Sequence, residues 1–253
     1  MKMIKALVKK YWAATLIFAG LGLGYYYYTE SGDALSYLFP KVSAIWKAFM
    51  ADKDQLVPNM LASFEIMIPS VLIALAIALG VGTPLGMNKK LREALHPVIY
   101  TFSVVPAILL APFVLMLAPT LRMASIILIV YSTVWATLFA TITGIQTIDK
   151  TYLDKAATLE LKGAKKFFKV ILPAASPTIL GGFVNALRNT FIMLVYAEMY
   201  GATSGMGYYV KLYSDFGLFN KVWMGFIFMV IVLVVVMTLF EKLKTRLLKW
   251  TIN

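Results

Sequence analysis

Six stretches of this chain are predominantly apolar over about the length that crosses a bilayer: roughly 11–28, 60–85, 98–117, 124–143, 177–200 and 222–240. A transmembrane helix needs about 20 mostly apolar residues. In lipid every backbone N–H and C=O must be paired inside the protein, which leaves helices and closed barrels. Barrel strands are shorter and alternate apolar with polar residues, and these runs do not alternate. The pattern predicts an all-α membrane protein with six transmembrane helices, and residues 1–253 read as a single domain without tandem repeats. Composition agrees: 60% of the residues are hydrophobic and 14% charged, where soluble domains carry about 25% charged residues. Cysteine is absent and His96 is the only histidine. Disulfides, thiolate metal sites, cysteine nucleophiles and histidine-rich metal centres are thereby excluded.

The formal charge of +12 would suit a nucleic-acid partner, but its distribution points to a membrane instead. With the N-terminus inside, the inner segments 1–10, 87–97, 144–176 and 241–253 hold 17 of the Lys and Arg residues, and the outer segments 29–57, 118–123 and 201–221 hold 6. That asymmetry predicts an N-in, C-in topology with the basic surplus against anionic inner-leaflet lipid, and no nucleic acid. The first span is retained rather than read as a cleaved signal. Lys2, Lys5, Lys9 and Lys10 resemble an n-region, but Tyr25, Tyr26, Tyr27 and Tyr28 stand where small cleavage-site residues belong, and tyrosines suit the interface. The outer segment 29–57 carries Glu30, Asp33, Asp52 and Asp54 near its ends, and residues 41–50 have the periodicity of a short surface helix.

The inner segment between the fourth and fifth spans is long and has its own helical pattern. Tyr152, Leu153, Ala156 and Ala157 share one face, and the two alanines would let a partner surface approach closely. After Gly163, Phe167, Phe168, Ile171 and Leu172 share a face opposite Lys162, Lys165, Lys166 and Lys169. Pro173 and Pro177 are expected to end that helix and begin the next element. The segment reads as two short amphipathic helices with a turn between them. The second could instead lie on the membrane with its lysines toward headgroups.

This segment resembles the EAA loop of permease subunits from bacterial ATP-binding-cassette importers, whose pattern is E-A-A, a glycine after three further residues, and then I-x-L-P. Anchored on Leu172 and Pro173, the pattern places Asp154, Lys155 and Ala156 at E-A-A, Glu160 at the glycine and Val170 at the isoleucine. Lys155 and Glu160 depart from it, and Gly163 lies three residues late, so the turn is expected to be shifted. Glu198-Met199 with Ser204-Gly205-Met206-Gly207-Tyr208 is similar to the A-E-M…S-G-L-G-Y stretch of the nitrate, sulfonate and taurine branch. Val105-Pro106-Ala107 with Pro112 resembles that branch's proline-rich third span, and Glu241…Leu247-Leu248-Lys249-Trp250 its ending. The resemblance covers roughly 56–250.

The resemblance implies a permease subunit in a bacterial inner membrane, multi-pass, with a cytoplasmic coupling helix between spans 4 and 5. Asp154, Lys155, Ala156, Ala157, Leu159, Glu160, Gly163, Leu172 and Pro173 would then form the ATPase-coupling loop. The implied partners are a cytoplasmic ATPase dimer that binds ATP and Mg, a second permease copy, an external binding protein and membrane lipid. The cargo would be a small anion or organic solute.

The residues themselves show no G-x-x-x-x-G-K-[ST] phosphate cradle and no nucleophile–base pair, so the chain is expected to be neither an ATPase nor another enzyme, and to hold no cofactor or metal. Glu65, Arg188 and Glu198 fall within predicted spans and should face protein or water. Glu198 lies ten residues beyond Arg188, too far to pair on one helix, and an Arg188–Glu65 contact would need a favourable tilt. Arg188 either attracts an anion on the pathway or forms an internal polar knot with Asn185 and Asn189. Pro69, Pro84, Pro106 and Pro112 can kink their spans. Gly20 with Gly24, and Gly82 with Gly86, permit close helix contact. Two other functional classes stay open: an ion-driven secondary transporter using Glu65 and Glu198, and a membrane-embedded enzyme. The first lacks a visible inverted repeat and the second lacks a catalytic cluster.

Overall fold

A computed structural model describes residues 2–32, 35 and 37–251, with side chains described from Trp12 to Trp250; Asp33 lies outside the described residues. The elements are α1 (Lys2–Glu30), α2 (Val42–Met87), α3 (Lys89–Val104), α4 (Ala107–Leu117), α5 (Leu121–Gln146), α6 (Lys150–Thr158), α7 (Gly163–Lys166), α8 (Leu172–Gly201), α9 (Met206–Asp215) and α10 (Phe219–Leu247). Four helical runs among the described residues are long and apolar enough to cross a membrane: Val42–Met87, Leu121–Gln146, Gly163–Gly201 and Phe219–Leu247. The bent pair α3 and α4 makes a fifth if taken as one broken span. The count is thus four or five, against the six expected; α1 covers the first expected span as a continuous helix of 29 residues.

The separate outer helix expected over 41–50 is instead the first part of α2, which runs unbroken for 46 residues. At 1.5 Å per residue that is about 69 Å, roughly twice a bilayer core. Pro58, Pro69 and Pro84 lie inside it without ending it. Pro69 has no N–H for the carbonyl of Glu65, and Arg122 Nη2 donates to that oxygen at 3.4 Å. The inner segment expected at 87–97 shrinks to a turn at Asn88, whose Oδ1 caps α3 by accepting from Leu91 N. Arg92 reaches back to the end of α2, where its Nη1 donates to Leu85 O at 2.8 Å. A cation there complements the negative end of the helix dipole.

The third expected span is not one helix. α3 and α4 meet at 87°. Pro106 supplies no N–H, and the residue before a proline is held out of the α region; Val105 accordingly sits at φ −71°, ψ 118°.

The core lies where α5 packs between α2 and α8. Leu128 and Ile129 of α5 meet Leu187, Phe191 and Leu194 of α8 and Ile66, Met67 and Val71 of α2. Small residues bring the backbones together. A Cβ on Gly82 would stand 2.8 Å from Thr141 Cβ, and one on Gly86 2.8 Å from Ile145 Cβ. Thr133 and Thr190 join α5 to α8 by a buried hydroxyl–hydroxyl bond of 2.8 Å. Gly20 and Gly24 have nothing within 4 Å, so the close contact expected there is not made among the described residues. Among the described residues α1 meets the rest of the chain near its C-terminal end, where Tyr25 Oη donates to Pro40 O at 2.7 Å and the Tyr25 and Trp223 rings lie 5.2 Å apart.

Candidate functional site

The loop after α5 is built around α6, a helix of 9 residues closed at both ends by its own sequence. Asp149 caps the start, its Oδ1 accepting from Thr151 N at 2.7 Å. The Thr151 hydrogen bonds hold the Asp149 carboxyl below the ordinary carboxylate range. The end is a Schellman closure: Leu161 N donates to Ala156 O and Glu160 N to Ala157 O, both at 2.9 Å. That closure needs a left-handed residue at Glu160, and Glu160 has φ 51°. It is the one described non-glycine residue with positive φ. The motif's glycine conformation is therefore kept by a glutamate, and the turn is not shifted to Gly163. Gly163 has φ 53° as well and starts α7.

Two further expectations for this loop change. Pro173 and Pro177 end nothing: the helix runs through both, after one widened π turn at Phe167–Ile171 in which Leu172 N reaches Phe167 O. In a regular α turn the Pro173 ring would strike the carbonyl four residues back, and the extra residue in the turn displaces it. The small-residue face of α6 is also split, with Ala156 turned inward and Ala157 outward. Ala156 is 1% exposed, beside a hollow of about 230 Å³ that Val170, Pro173 and Trp250 also line. Asp154, Lys155, Ala157, Leu159, Glu160 and Gly163 are exposed, and Leu172 and Pro173 are half-buried. The outward apolar groups are Leu159, at 70% exposure, and Tyr152.

The three charges within the helices separate. Glu65 pairs with Arg122 rather than Arg188, at 3.8 Å on an exposed rim. Arg188 is exposed on α8, and its Nη1 lies 3.4 Å from Asn185 Oδ1. Glu198 is 1% exposed and serves the start of α9. The helix has no cap of its own, and three successive N–H groups find acceptors elsewhere. Gly205 N donates to Asn59 Oδ1, Met206 N to Ser63 Oγ and Gly207 N to Glu198 Oε2, at 2.9, 2.9 and 2.7 Å. The S-G-M-G-Y stretch thus folds its glycines against a buried carboxylate, with Gly205 at φ 124°.

Sequence reasoning missed a polar cluster joining α2, α9 and α10. Asp52 of α2 accepts from Tyr209 Oη at 2.6 Å and from Lys221 Nζ at 3.0 Å, and Lys221 Nζ lies 4.4 Å over the Tyr213 ring. Burial, reinforced by the Asp52 carboxylate, pushes the Tyr209 phenol up. Separations of 157 and 169 residues left no local signal of these contacts. Sequence reasoning also missed a groove of about 380 Å³ at the α3–α4 break, lined by Ser103, Pro106, Tyr131, Ser132, Trp135 and Asn189 among others. Among the described residues no three metal-ligating side chains cluster.

Residues 73–250 match the family described as binding-protein-dependent transport system inner membrane component. A Bacillus subtilis permease protein named for aliphatic sulfonate transport is 30% identical over 179 residues, which is 71% of this chain and 65% of that protein. The nitrate import permease protein of Synechococcus elongatus is 28% identical over 152 residues, 60% of this chain and 54% of that protein. A bicarbonate transport system permease protein of the same species is 28% identical over 139 residues, 54% of this chain and 50% of that protein. The chain thus spans about half to two thirds of the length of these relatives. In fold, it is similar to a chain of the MetNI methionine transporter in an inward-facing conformation, with TM-score 0.63 and 16% identity over 76% of this chain and 96% of that one.

Proposed function

The chain belongs to the family of binding-protein-dependent transport system inner membrane components, and from that premise we propose that it is the permease subunit of an ATP-driven importer in a bacterial inner membrane. It crosses the membrane six times with both termini inside. It pairs with a second copy, receives solute from an external binding protein, and is driven by a cytoplasmic ATPase dimer that binds ATP and Mg. The names of its relatives favour a small anion such as a sulfonate, nitrate or bicarbonate as cargo.

The observation that carries this reading is α6. A helix of 9 residues stabilised at both ends, with Asp154, Lys155, Ala157 and Leu159 outward and Ala156 seated on its own chain, is built to transmit a push. ATPase closure would move α6, and through Ala156 and the turn before α8 it would rock α8 against α5. The ion-driven alternative needs Glu65 or Glu198 as a carrier, but Arg122 and the Gly207 N–H engage them.

The test is co-purification with candidate ATPase subunits from the same organism. Leu159→Arg, at a mostly exposed side chain, is expected to abolish the complex while leaving the permease assembled. Proton-driven uptake by the chain alone in proteoliposomes, with no ATPase partner, would overturn the proposal.

A further inference from the structure

Resting on the permease reading, which makes this end of the bundle cytoplasmic, we infer that a basic hollow between the ends of α2 and α5 and the segment before α8 holds the phosphate headgroup of an anionic lipid. The hollow is about 480 Å³, the size of a small-ligand site. Gly86 and Met87, the last residues of α2, and Ile145 and Gln146, the last of α5, stand on its walls. Both helices are long and apolar enough to cross a membrane. Their ends therefore lie where the hydrocarbon gives way to headgroups.

Three cations line the hollow: Lys89 and Arg92 of α3 and Lys166 of α7. None of the lining side chains is acidic. Like charges around one space repel, and an anion between them relieves that repulsion. The three have different parts. Arg92 is spent as a donor, since its Nη1 covers Leu85 O and Gly86 O at 2.8 and 3.3 Å. Its charge offsets the negative end of the α2 dipole, which would otherwise oppose an anion. Lys89 has only Glu93, 3.8 Å away with both side chains mostly in water, a pairing worth little. Lys166 is half-buried, and its ammonium has no hydrogen bond or ion pair among the described residues. The nearby Asp149 carboxylate is taken by Thr151 N.

The rest of the lining is apolar. Met87 is exposed, and Ile145, Ile148 and Leu153 continue its wall. Cations beside apolar side chains suit a molecule that joins a phosphate to acyl chains better than they suit a free anion. Basic pockets between membrane helices on the cytoplasmic side take such headgroups. The hollow also touches the moving parts of the proposed cycle. Leu153 belongs to α6, and Lys166 and Ile171 flank the widened turn that leads into α8. A headgroup held here joins α6 to the ends of α2 and α5, so ATP-driven uptake gains from anionic lipid.

Native mass spectrometry of the full chain with phosphatidylglycerol tests the site. One lipid should stay bound, and the pair Lys89→Gln and Lys166→Gln should weaken it roughly 25-fold, about five-fold for each charge. Lys89→Arg with Lys166→Arg should keep it. Lys242→Gln with Lys249→Gln, equally basic positions outside the hollow, should leave it unchanged. No retained lipid overturns the inference. So does equal weakening by both glutamine pairs, which would mean attraction to surface charge in general, or phosphatidylcholine held as tightly. Displacement of the lipid by inorganic phosphate would make this a free-anion site and overturn the lipid assignment. In proteoliposomes with the ATPase and binding protein, adding phosphatidylglycerol to phosphatidylcholine should raise uptake several-fold in the unsubstituted complex and not in the Lys89 and Lys166 glutamine pair. An equal rise in both sinks the coupling role. Absence of ATP-driven uptake in either bilayer sinks the permease reading and leaves the lipid count standing.

Discussion

Gly182 of α8 faces Ala140 of α5 so closely that a Cβ on Gly182 would stand 2.1 Å from the Cβ of Ala140 and 2.9 Å from Ala136 O. Its neighbour Gly181 has nothing within 4 Å. Gly181→Ala should therefore be neutral, or gain up to about 1 kcal/mol from helix propensity. Gly182→Ala must push two central helices apart and should cost at least about 2 kcal/mol. Apparent unfolding temperatures of the two variants in the same detergent separate these outcomes. Equal temperatures would mean that α5 and α8 are not in this register.

Glu198 is predicted to act through structure rather than along the pathway. Glu198→Ala leaves the Gly207 N–H unpaired and a cavity beneath α9, a loss of about 2–4 kcal/mol. Glu198→Gln keeps an acceptor of the same size and should stay within about 1 kcal/mol of the parent. Gly205→Ala should resemble the severe variant, because its Cβ would lie 2.5 Å from the Glu198 carboxyl carbon at a φ of 124°. Thermal unfolding checks the order. Uptake lost in Glu198→Gln with stability intact would restore a transport role.

Asp52 and Lys221 should behave as a coupled pair. The side chain of Asp52 is 7% exposed and that of Lys221 24%. Lys221→Met strands a mostly buried carboxylate on Tyr209 alone, and Asp52→Asn leaves the ammonium with little beyond the Tyr213 face. Each should cost about 2–3 kcal/mol, less than a fully buried broken pair because water still reaches the lysine. The double variant should cost clearly less than the sum. A double-mutant cycle by chemical denaturation measures this, and strict additivity would show the pair to be inert.

The parts of this architecture that were legible in the sequence are those governed by local composition. Apolar runs located the four helices long and apolar enough to cross a membrane, and helical spacing marked α6 in the loop after α5. A proline at 106 announced a bend, but not its 87° size, which depends on what α5 and α8 leave room for. The continuity of α2 through Pro58 was not legible, because whether a proline stops a helix depends on who takes the freed carbonyl. For Pro69 that partner is Arg122, 57 residues beyond Glu65. The α9 cap was invisible for the same reason, since Asn59 and Ser63 lie 146 and 143 residues from the groups they accept from. The inward turn of Ala156 shows that helical spacing identifies a face but not what it meets.

Glu160 offers the sharpest local test. A non-glycine residue in the left-handed region costs roughly 1–2 kcal/mol, and this one holds φ 51° to complete the α6 closure. Its side chain is exposed, so little packing is lost on truncation. Glu160→Gly should stabilise the loop by about 1 kcal/mol, while Glu160→Val, β-branched at positive φ, should open it. Hydrogen exchange at the Glu160 and Leu161 amides, which close onto Ala157 and Ala156, reads the effect directly: slower in Glu160→Gly and faster in Glu160→Val. Faster exchange in Glu160→Gly would mean that the glutamate side chain, and not the backbone shape it adopts, holds α6 closed.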